Sequence, residues 1–504
     1  MTQITMALLT VAGMLTLLDW RKGLAMCVLV GIAQDPLRKL APGQPVFYIA
    51  LVGVIFGLTW VRAALMRVPL GPSVIHGWKK NLKVPFSLFI VLVIAQALHT
   101  FLRYGSAFMA GVGLLVWLAP IPAVVLAYQF AARRGVRGVR QWLLLYVVLA
   151  LLSLSGVYFE YSGFTWPTLG EIGEGQIIYD VGTVLKAHSG FFRASEIAAW
   201  HAAAIACFIF ILSLGKRPTL LRIAFALGML ALLVSLGILT GRRKMLVEIT
   251  IFLSSYAFLV AWLQRGMARL AMVLLVMGFV GYVGIVGFVS PDLVQSSYSK
   301  SISMENAQRI EGYAARGQSV FADLPKRVND VGIRPLLWAI DTFGWLGAGL
   351  GTGSQGTNDI AQSHNIDRWA AEGGLGKVAM ELGAPGLLLA MWLLIALARH
   401  LRQELADVAR ISPQHMRIAY GLVAFLVANA ATFTVATQAY SDLFILLILG
   451  WCLGFLLAMP ALAARGDGAK RKSTPSPWLH AAPAPHHFPT QPGSLPQPAG
   501  SQRQ

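Results

Sequence analysis

Apolar stretches long enough to cross a membrane recur along almost the whole chain. A hydrocarbon layer about 30 Å thick needs roughly 20 helical residues to span it, and a helix satisfies its backbone hydrogen bonds internally. Only 12% of the 504 residues are charged, against about 25% in soluble domains. The pattern predicts an all-α polytopic integral membrane protein with about 12–13 transmembrane helices. The candidate spans are residues 4–18, 24–33, 46–60, 84–101, 108–130, 142–158, 197–214, 221–239, 245–263, 270–288, 387–398, 418–434 and 443–462.

The second stretch, residues 24–33, is shorter than a single span. We expect it to pair with the first stretch as a hairpin, which leaves the helix count at about twelve or thirteen. Cys27, Cys207 and Cys452 all lie inside apolar stretches. They therefore indicate small core residues, and neither a disulfide nor a metal site.

Basic residues fall in short clusters between the apolar stretches and give a formal net charge of +19. Because the clusters do not share one soluble face, they indicate membrane topology and not nucleic-acid binding. Lys and Arg in short loops mark the cytoplasm. If every stretch crosses, one side carries the basic clusters at 21–22, 62–83, 133–140, 216–217, 265–269, 399–417 and 465–472. This side is predicted to be cytoplasmic and to hold the C terminus.

The same alternation divides the chain into five parts. Residues 1–158 are predicted to hold the N-terminal helices, and residues 159–289 the central helices with a periplasmic loop at 159–196. A large periplasmic loop with short helices follows at 290–386, and C-terminal helices at 387–463. Residues 464–504 are rich in Pro, Ala, Gln and His, which is typical of a disordered tail.

The turn Gly241-Arg-Arg-Lys244 falls on the outward side in this topology. Three cations on the side that the positive-inside rule disfavours indicate either attraction to an anionic substrate or side chains that reach lipid phosphates. Arg193 also has two interpretations. It either forms a helical ion pair with Glu196, three residues further on, or faces an anionic group at the membrane surface.

The large outward loop contains an alternating glycine run, Gly347-Ala-Gly-Leu-Gly-Thr-Gly353. No strand precedes the run and no Lys-Ser or Lys-Thr follows it, so neither nucleotide-binding motif is met. We expect a tight, flexible loop that lets a substrate approach the backbone. A His or Glu in this loop has the chemistry of a general base for a sugar hydroxyl, although each ionisable group also has a simple role facing water. These groups are His364, Asp367, Arg368, Glu372, Lys377 and Glu381.

Three motifs resemble those of the O-antigen ligase and polymerase superfamily, which are membrane glycosyltransferases of the GT-C type. They are Thr240-Gly-Arg-Arg-Lys244, Gly347-Ala-Gly-Leu-Gly351 and Glu381-Leu-Gly-Ala-Pro-Gly386. The resemblance covers residues 191–395. It implies a bacterial inner-membrane enzyme that uses undecaprenyl-diphosphate-linked glycans without a metal or other cofactor, alone or with other polysaccharide assembly proteins. In this family external arginines bind the diphosphate, and a loop His or carboxylate activates the acceptor.

Two alignments of the closing motif compete. The family has His-Asn about nine residues before its closing Glu, and His364-Asn365 meets this spacing only if Glu372 closes the motif instead of Glu381. The phrase from Trp369 to Gly383 resembles the exopolysaccharide-cluster branch and favours Glu372 as the base, with His364 nearby. The diphosphate-binding candidates are Arg242, Arg243, Arg193 and a loop arginine, Arg309 or Arg316, with Arg334 third.

Other functions are compatible with such a chain. A flippase or transporter of the lipid-linked glycan is one, although such proteins show repeats and charged or broken helices at the bilayer midplane. Here no repeat of the two halves is evident, and Arg222 and Glu248 lie near the ends of their stretches. A non-catalytic assembly subunit is another. Polymerase and ligase activities are not separated by the sequence.

Overall fold

The computed structural model describes residues 2–172, 177–180, 183–213, 220–263, 313 and 320–473. Within these ranges eight helices are long and apolar enough to cross a membrane, and two shorter apolar helices cover Gln3–Leu18 and Ala224–Leu239. A polytopic helical membrane protein is therefore confirmed. The predicted span at 270–288 lies outside the described residues.

The helices before the large loop are α1 Thr2–Leu18, α2 Trp20–Leu40, α3 Leu51–Leu65, α4 Trp78–Asn81, α5 Lys83–Tyr104, α6 Ala107–Leu118, α7 Pro120–Tyr161, α8 Ser195–Ser213, α9 Leu220–Leu239 and α10 Lys244–Leu263. Those after it begins are α11 Val320–Arg327, α12 Arg334–Phe343, α13 Asn358–Ser363, α14 Gly374–Ile411, α15 Pro413–Val435 and α16 Leu443–Ser473. A π-helix covers Val328–Ile333, and 3-10 turns cover Val46–Ala50, Pro72–Val74, Gln355–Thr357, Trp369–Glu372 and Ala439–Ser441.

One pair of strands departs from the all-α expectation. Strands β1 Ile177–Asp180 and β2 Thr183–Lys186 form an antiparallel ribbon in the loop between α7 and α8, with Ile177 opposite Lys186. Such a loop lies beyond the hydrocarbon layer, where water satisfies the outer edges of a short ribbon. The transmembrane part of the described chain is helical.

The second apolar stretch is part of a longer helix than the sequence indicates. Helix α2 has 21 residues, because the polar groups that end the apolar stretch find partners inside the protein. Asp35 pairs with Arg193 at 3.1 Å, and the Lys39 ammonium donates to the Gly190 carbonyl at 2.7 Å. A hydropathy pattern cannot anticipate these partners, since they lie about 150 residues away along the chain.

Other helix bounds also differ from the sequence prediction. The predicted span at 387–398 lies within α14, which begins at Gly374 inside the large loop and bends at Gly383, where φ is +70°. The predicted span at 108–130 is divided between α6 and the start of α7, and α7 continues through the predicted span at 142–158 across a break at Gly135, whose φ is +68°. Helix α16 continues to Ser473, beyond the predicted end of its span at 462. Glycine permits both left-handed breaks without steric cost.

Close helix contacts form the core. Helix α16 packs along α7, and a Cβ at Gly450 would lie 2.7 Å from the Pro120 carbonyl oxygen, so only glycine permits this approach. Around this contact Trp142 meets Trp451 with ring centroids 5.3 Å apart and Phe455 with centroids 5.4 Å apart. The resulting core is buried and apolar, and it fixes the ends of α7, α8 and α16 relative to one another.

Helix α8 makes one contact at each end of the bundle. At its first residue Ser195 accepts from Arg242, and at its last turn the Leu212 carbonyl accepts from Arg140. Ser195 and Leu212 are 17 residues apart on this helix, so the two contacts lie about 26 Å apart. We name the end with Arg242 the cleft face and the end with Arg140 the opposite face. The turn at 241–244 and the basic cluster at 133–140 therefore lie at different ends of the bundle, as the alternation of spans predicts.

Candidate functional site

The turn between α9 and α10 presents three consecutive cations at the cleft face. Gly241 has a φ of +69°, which reverses the chain after Thr240. The Thr240 hydroxyl donates to the Gly237 carbonyl at 2.6 Å and accepts from the Arg242 backbone amide at 3.2 Å. The turn is thus fixed by its own side chain, and Arg242, Arg243 and Lys244 leave it at the start of α10.

Arg242 and Lys244 have identified partners in the protein. The Arg242 guanidinium donates to the Ser195 hydroxyl at 2.9 Å and pairs with Glu196 at 2.8 Å. Lys244 donates to the side-chain oxygen of Gln438. The helical ion pair between Arg193 and Glu196 is not formed, because Glu196 faces Arg242 on the neighbouring turn. Both contacts hold the turn against α8 and against the segment after α15.

A cleft of about 770 Å³, part of it open to solvent, lies in front of this turn. Four cationic side chains line it, since α11 adds Arg327 to the three from the turn. Four apolar side chains from α10, α11 and α15 line it with them. The lining residues are Gly241, Arg242, Arg243, Lys244, Arg327, Gln438, Thr432, Val247, Val320, Leu324 and Val435. We name this cavity the cationic cleft. It has the chemistry to hold an anionic group that is attached to an apolar one.

Glu372 lies at the edge of the cationic cleft. Its side chain is exposed, and its backbone carbonyl accepts from the Thr437 amide at 3.1 Å, next to Gln438. The Glu372 carboxylate acts electrostatically on Lys244, as do Glu196, Arg242 and Arg327. The structure therefore brings this loop carboxylate and the arginine turn together, although about 130 residues separate them in sequence.

Glu381 has a different environment. It is completely buried, and its carboxylate accepts from the Trp117 indole at 2.6 Å, the Gly353 amide at 3.0 Å and the Ser354 hydroxyl at 3.2 Å. Burial lowers the pKa of Arg368, which donates to the Ser354 carbonyl, and the nearby Glu381 charge opposes that shift. Glu381 thus holds the glycine loop through these hydrogen bonds, whereas the Glu372 side chain is exposed to solvent.

The glycine run packs against helices of the protein itself. A Cβ at Gly347 would lie 2.6 Å from the Met380 carbonyl oxygen, and one at Gly349 would lie 2.6 Å from the Thr100 hydroxyl. A Cβ at Gly351 would collide with the Met109 carbonyl. Close approach is thus the reason for these glycines, as predicted, but the approaching groups are α5, α6 and α14 and not a substrate.

His364 lies apart from the contacts of the cationic cleft. Its exposed ring packs against Tyr104, with centroids 5.2 Å apart, and the Arg103 guanidinium stacks over the same tyrosine at 5.3 Å. Arg334 is exposed and pairs with Asp330 at 3.3 Å. Arg309 and Arg316 lie outside the described residues. Of the loop arginines within them, Arg327 is the one that lines the cleft.

Arg193 is buried inside the protein and does not line the cleft. Its guanidinium pairs with Asp35 at 3.1 Å and with Asp442 at 2.5 Å, and its backbone amide donates to Asp35 at 3.1 Å. These carboxylates raise the pKa of Arg193 and outweigh the effect of its burial. We name the three residues the buried triad. Its two carboxylates neutralise the arginine, so the guanidinium is already occupied.

Glu171 lies between the buried triad and the cationic cleft. The backbone amide of the next residue, Ile172, donates to the Arg193 carbonyl at 2.9 Å. Burial, reinforced by the charge of Glu196, raises the pKa of Glu171 to about 7, while Arg242 opposes the shift. Its charge near neutral pH therefore modulates the electrostatic environment of Arg242.

A smaller cavity of about 330 Å³, also partly open, shares Arg242, Lys244 and Thr432 with the cationic cleft. At its inner end lies the buried Glu248, which accepts from the Asn429 amide at 3.0 Å. The Asn429 oxygen accepts from the Trp200 indole at 2.7 Å and from the Tyr440 hydroxyl at 3.1 Å. This network satisfies the polar groups beneath the cleft and supports its floor.

Arg327, Gln438 and Glu171 were missed from the sequence. Arg327 follows the sequence Asp323-Leu-Pro-Lys326, and its pairing with Val320 and Leu324 on one face of α11 was the available signal. Gln438 and Glu171 stand in short connecting segments with no periodic pattern, so no signal marked them. Within the described residues no group of three or more His, Cys, Asp or Glu side chains is arranged to hold a metal ion.

No family model matches the chain, and the comparison with curated proteins also finds no match.

Proposed function

We propose that this chain is a membrane glycosyltransferase with a GT-C-like fold. It acts as a polymerase or ligase that joins undecaprenyl-diphosphate-linked glycan units in exopolysaccharide or O-antigen synthesis. The observation that carries the proposal is the cationic cleft, where four cationic and four apolar side chains line one cavity at one end of the membrane-spanning helices. A lipid-linked diphosphate has matching surfaces, because its charge lies at the headgroup level and its chain lies in the hydrocarbon layer.

In this proposal the arginines bind the diphosphate. Guanidinium groups match phosphate oxygens in two-point geometry, and Arg243 from the turn and Arg327 from α11 approach the cleft from different elements. Arg242 keeps its contacts with Ser195 and Glu196 and holds the turn in place. Val247, Val320 and Leu324 then lie beside the first part of the lipid chain.

The proposed reaction joins the acceptor hydroxyl to the anomeric carbon of the lipid-linked glycan. A new carbon–oxygen bond forms as the bond between that carbon and the diphosphate breaks, and the diphosphate leaves with the bonding electron pair. Cations positioned around the leaving group stabilise the charge that develops on it. The proton of the acceptor hydroxyl passes to the Glu372 carboxylate, which then releases it to solvent.

Glu372 is the base in this proposal because of its position. It is exposed at the edge of the cationic cleft and interacts with Lys244, whereas Glu381 is buried and accepts three hydrogen bonds. His364 packs against Tyr104 and shares no described contact with the cleft residues. The carboxylate at the edge is therefore the better placed of the three candidates.

The experiment is reconstitution of the full chain with lipid-linked oligosaccharide, scoring glycan chain extension and translocation in the same vesicles. Glu372→Gln is expected to lower extension by about 10²- to 10⁴-fold, because the acceptor loses its base. Arg243→Ala is expected to abolish extension with unchanged membrane insertion. Asp341→Asn is the matched control, since Asp341 is an exposed carboxylate on α12 away from the cleft.

The outcomes separate the alternatives. Extension that is lost in Glu372→Gln and Arg243→Ala but kept in Asp341→Asn supports the site. Translocation without extension by the wild-type chain favours a flippase. The absence of both activities favours an assembly subunit. Normal extension by both cleft variants would remove the proposed site.

A further inference from the structure

A further cavity lies at the opposite face, beside the break in α7. It is open to solvent, and its space of about 1100 Å³ is lined by residues from both sides of the break and by the first turn of α15. The residues are Arg134, Gly135, Val136, Arg137, Arg140, Gln141 and His415. Three of them are arginines and none is acidic, so the cavity is suited to an anion.

The charge of these arginines is not balanced within the described part of the chain. Arg134, Arg137 and Arg140 form no ion pair with a described carboxylate, in contrast to Arg21 with Asp19 and Arg242 with Glu196. Arg140 donates to the Leu212 carbonyl, which leaves its charge uncancelled. The neighbouring Arg133 is directed elsewhere and stacks over Trp20 at 5.7 Å. The cavity therefore gathers positive charge that is available to a ligand.

The break at Gly135 produces this arrangement. With φ at +68° and ψ at −173°, the chain leaves one helical segment and begins another, so Arg134 and Arg137 lie on different segments. The contact between Arg140 and the end of α8 places the cavity at the headgroup level of the opposite face. A phosphate held there stands at the edge of the hydrocarbon layer.

An apolar stripe continues from the cavity along α7. Leu144, Val148 and Leu152 are 54%, 48% and 64% exposed, and they follow Arg137 and Gln141 at helical spacing on the same face. The second segment of α7 runs from the opposite face toward the cleft face, so this stripe extends from the cationic cavity into the membrane. An acyl chain attached to a bound phosphate has a continuous apolar surface to follow.

We propose that this cavity and stripe form a binding site for an anionic phospholipid of the opposite leaflet. The arginines take the phosphate diester of the headgroup, and the stripe takes the upper part of an acyl chain. This site is separate from the cationic cleft and does not depend on the proposed glycosyl transfer. Its ligand carries a net negative headgroup charge, because a zwitterionic headgroup brings its own cation to the cavity.

The experiment is native mass spectrometry of the purified full chain, titrated with dioleoyl phosphatidylglycerol and with dioleoyl phosphatidylcholine. We compare the wild-type chain with R134Q/R137Q, whose substitutions alter two exposed side chains. The control K80Q/R399Q removes the same charge from exposed positions elsewhere on the opposite face. A third variant, Val148→Asn, changes only the apolar stripe.

Binding of phosphatidylglycerol is expected to weaken by about tenfold or more in R134Q/R137Q, because each cation near an anionic headgroup contributes measurably, and to remain unchanged in the control. Val148→Asn is expected to weaken binding of phosphatidylglycerol although the arginines are intact. Equal binding by all four proteins, or equal affinity for both lipids, overturns the proposal. Displacement of the lipid by millimolar glycerol 3-phosphate overturns the lipid assignment, since it shows recognition of phosphate alone. Retention of the lipid supports it.

Discussion

The buried triad and the cationic cleft lie at the same end of the molecule but use their arginines differently. In the triad, Arg193 is enclosed by Asp35 from α2 and by Asp442 from the segment before α16. In the cleft, Arg243 and Arg327 line a partly open cavity together with apolar side chains. A buried arginine between two carboxylates stabilises an arrangement of helices, whereas arginines at an open cavity are suited to a ligand.

The difference teaches that position at the cleft face does not by itself identify an arginine that lines an open cavity. Arg193 and Arg243 stand in similar sequence contexts, each close to the start of an apolar helix. The carboxylates that enclose Arg193 come from α2 and from the segment before α16, about 160 and 250 residues away along the chain. An arginine near the start of an apolar helix is therefore either enclosed by carboxylates or left lining a cavity. The residues that surround it in space decide which.

The largest expected effect comes from removing the cation of the triad. Arg193→Met leaves Asp35 and Asp442 buried without their partner, and we expect it to lower the free energy of unfolding by about 3–5 kcal/mol. Thermal denaturation of the detergent-solubilised protein measures the effect. Arg193→Lys keeps the positive charge and is expected to lower the free energy of unfolding much less. Wild-type stability in Arg193→Met, with glycan extension lost, would instead place Arg193 among the ligand-binding residues.

Arg327 provides the next test of the comparison. We expect Arg327→Gln to lower glycan extension by about 10²- to 10³-fold, as expected when one preorganised group that stabilises a developing charge is removed. Its thermal stability is expected to stay near wild type. The matched control is Lys326→Gln, because Lys326 is the exposed neighbour on α11 and does not line the cleft. Equal losses in both variants would point to the net charge of α11 and not to a contact in the cleft.

The smallest expected effect concerns Glu171, which lies between the two regions. Its pKa is raised to about 7 in the folded protein from 4.5, mainly by burial. The folded protein thus holds a proton that the unfolded chain has released, so stability falls as pH rises from about 4.5 to about 7 and is flat above. Glu171→Gln is expected to flatten this fall in a comparison of denaturation midpoints at pH 5 and pH 8. An undiminished fall in the variant, with Asp341→Asn as the control, would assign the pH dependence to another group.

The sequence predicts the parts of the fold that depend on local pattern. Most apolar stretches are helices in the described residues, and the turn at 241–244 lies at the opposite end of the bundle from the basic cluster at 133–140. The length of helix α2 was underestimated. Asp35 and Lys39 are polar, so the hydropathy pattern ends before them, but both are buried because they have partners inside the protein. A hydropathy scale includes the free-energy cost of burying a charged side chain, but it does not include the partner whose interaction offsets that cost.

The candidate site divides in the same way. The motif at 240–244 and the preference for Glu372 over Glu381 came from residue patterns. In the structure Glu372 is exposed and acts electrostatically on Lys244, whereas Glu381 is buried. The position of Arg327 and Gln438 beside the turn was not available from the sequence, since it depends on how α11 and the segment after α15 meet α10. The glycine run was assigned to substrate approach, but its glycines are explained by the helices packed against them.

The sequence by itself determined that this protein is built from membrane-spanning helices, and it predicted that the turn at 241–244 and the basic cluster at 133–140 lie at different ends of the bundle. Hydrophobic length and the spacing of charges are local quantities, so a single chain displays them directly. Only the tertiary structure decided that Arg193 is enclosed by two carboxylates and that Arg243 and Arg327 line a cavity. That distinction depends on carboxylates, amides and apolar side chains brought together from distant helices, and electrostatic interactions are governed by distance in space and not by distance along the chain.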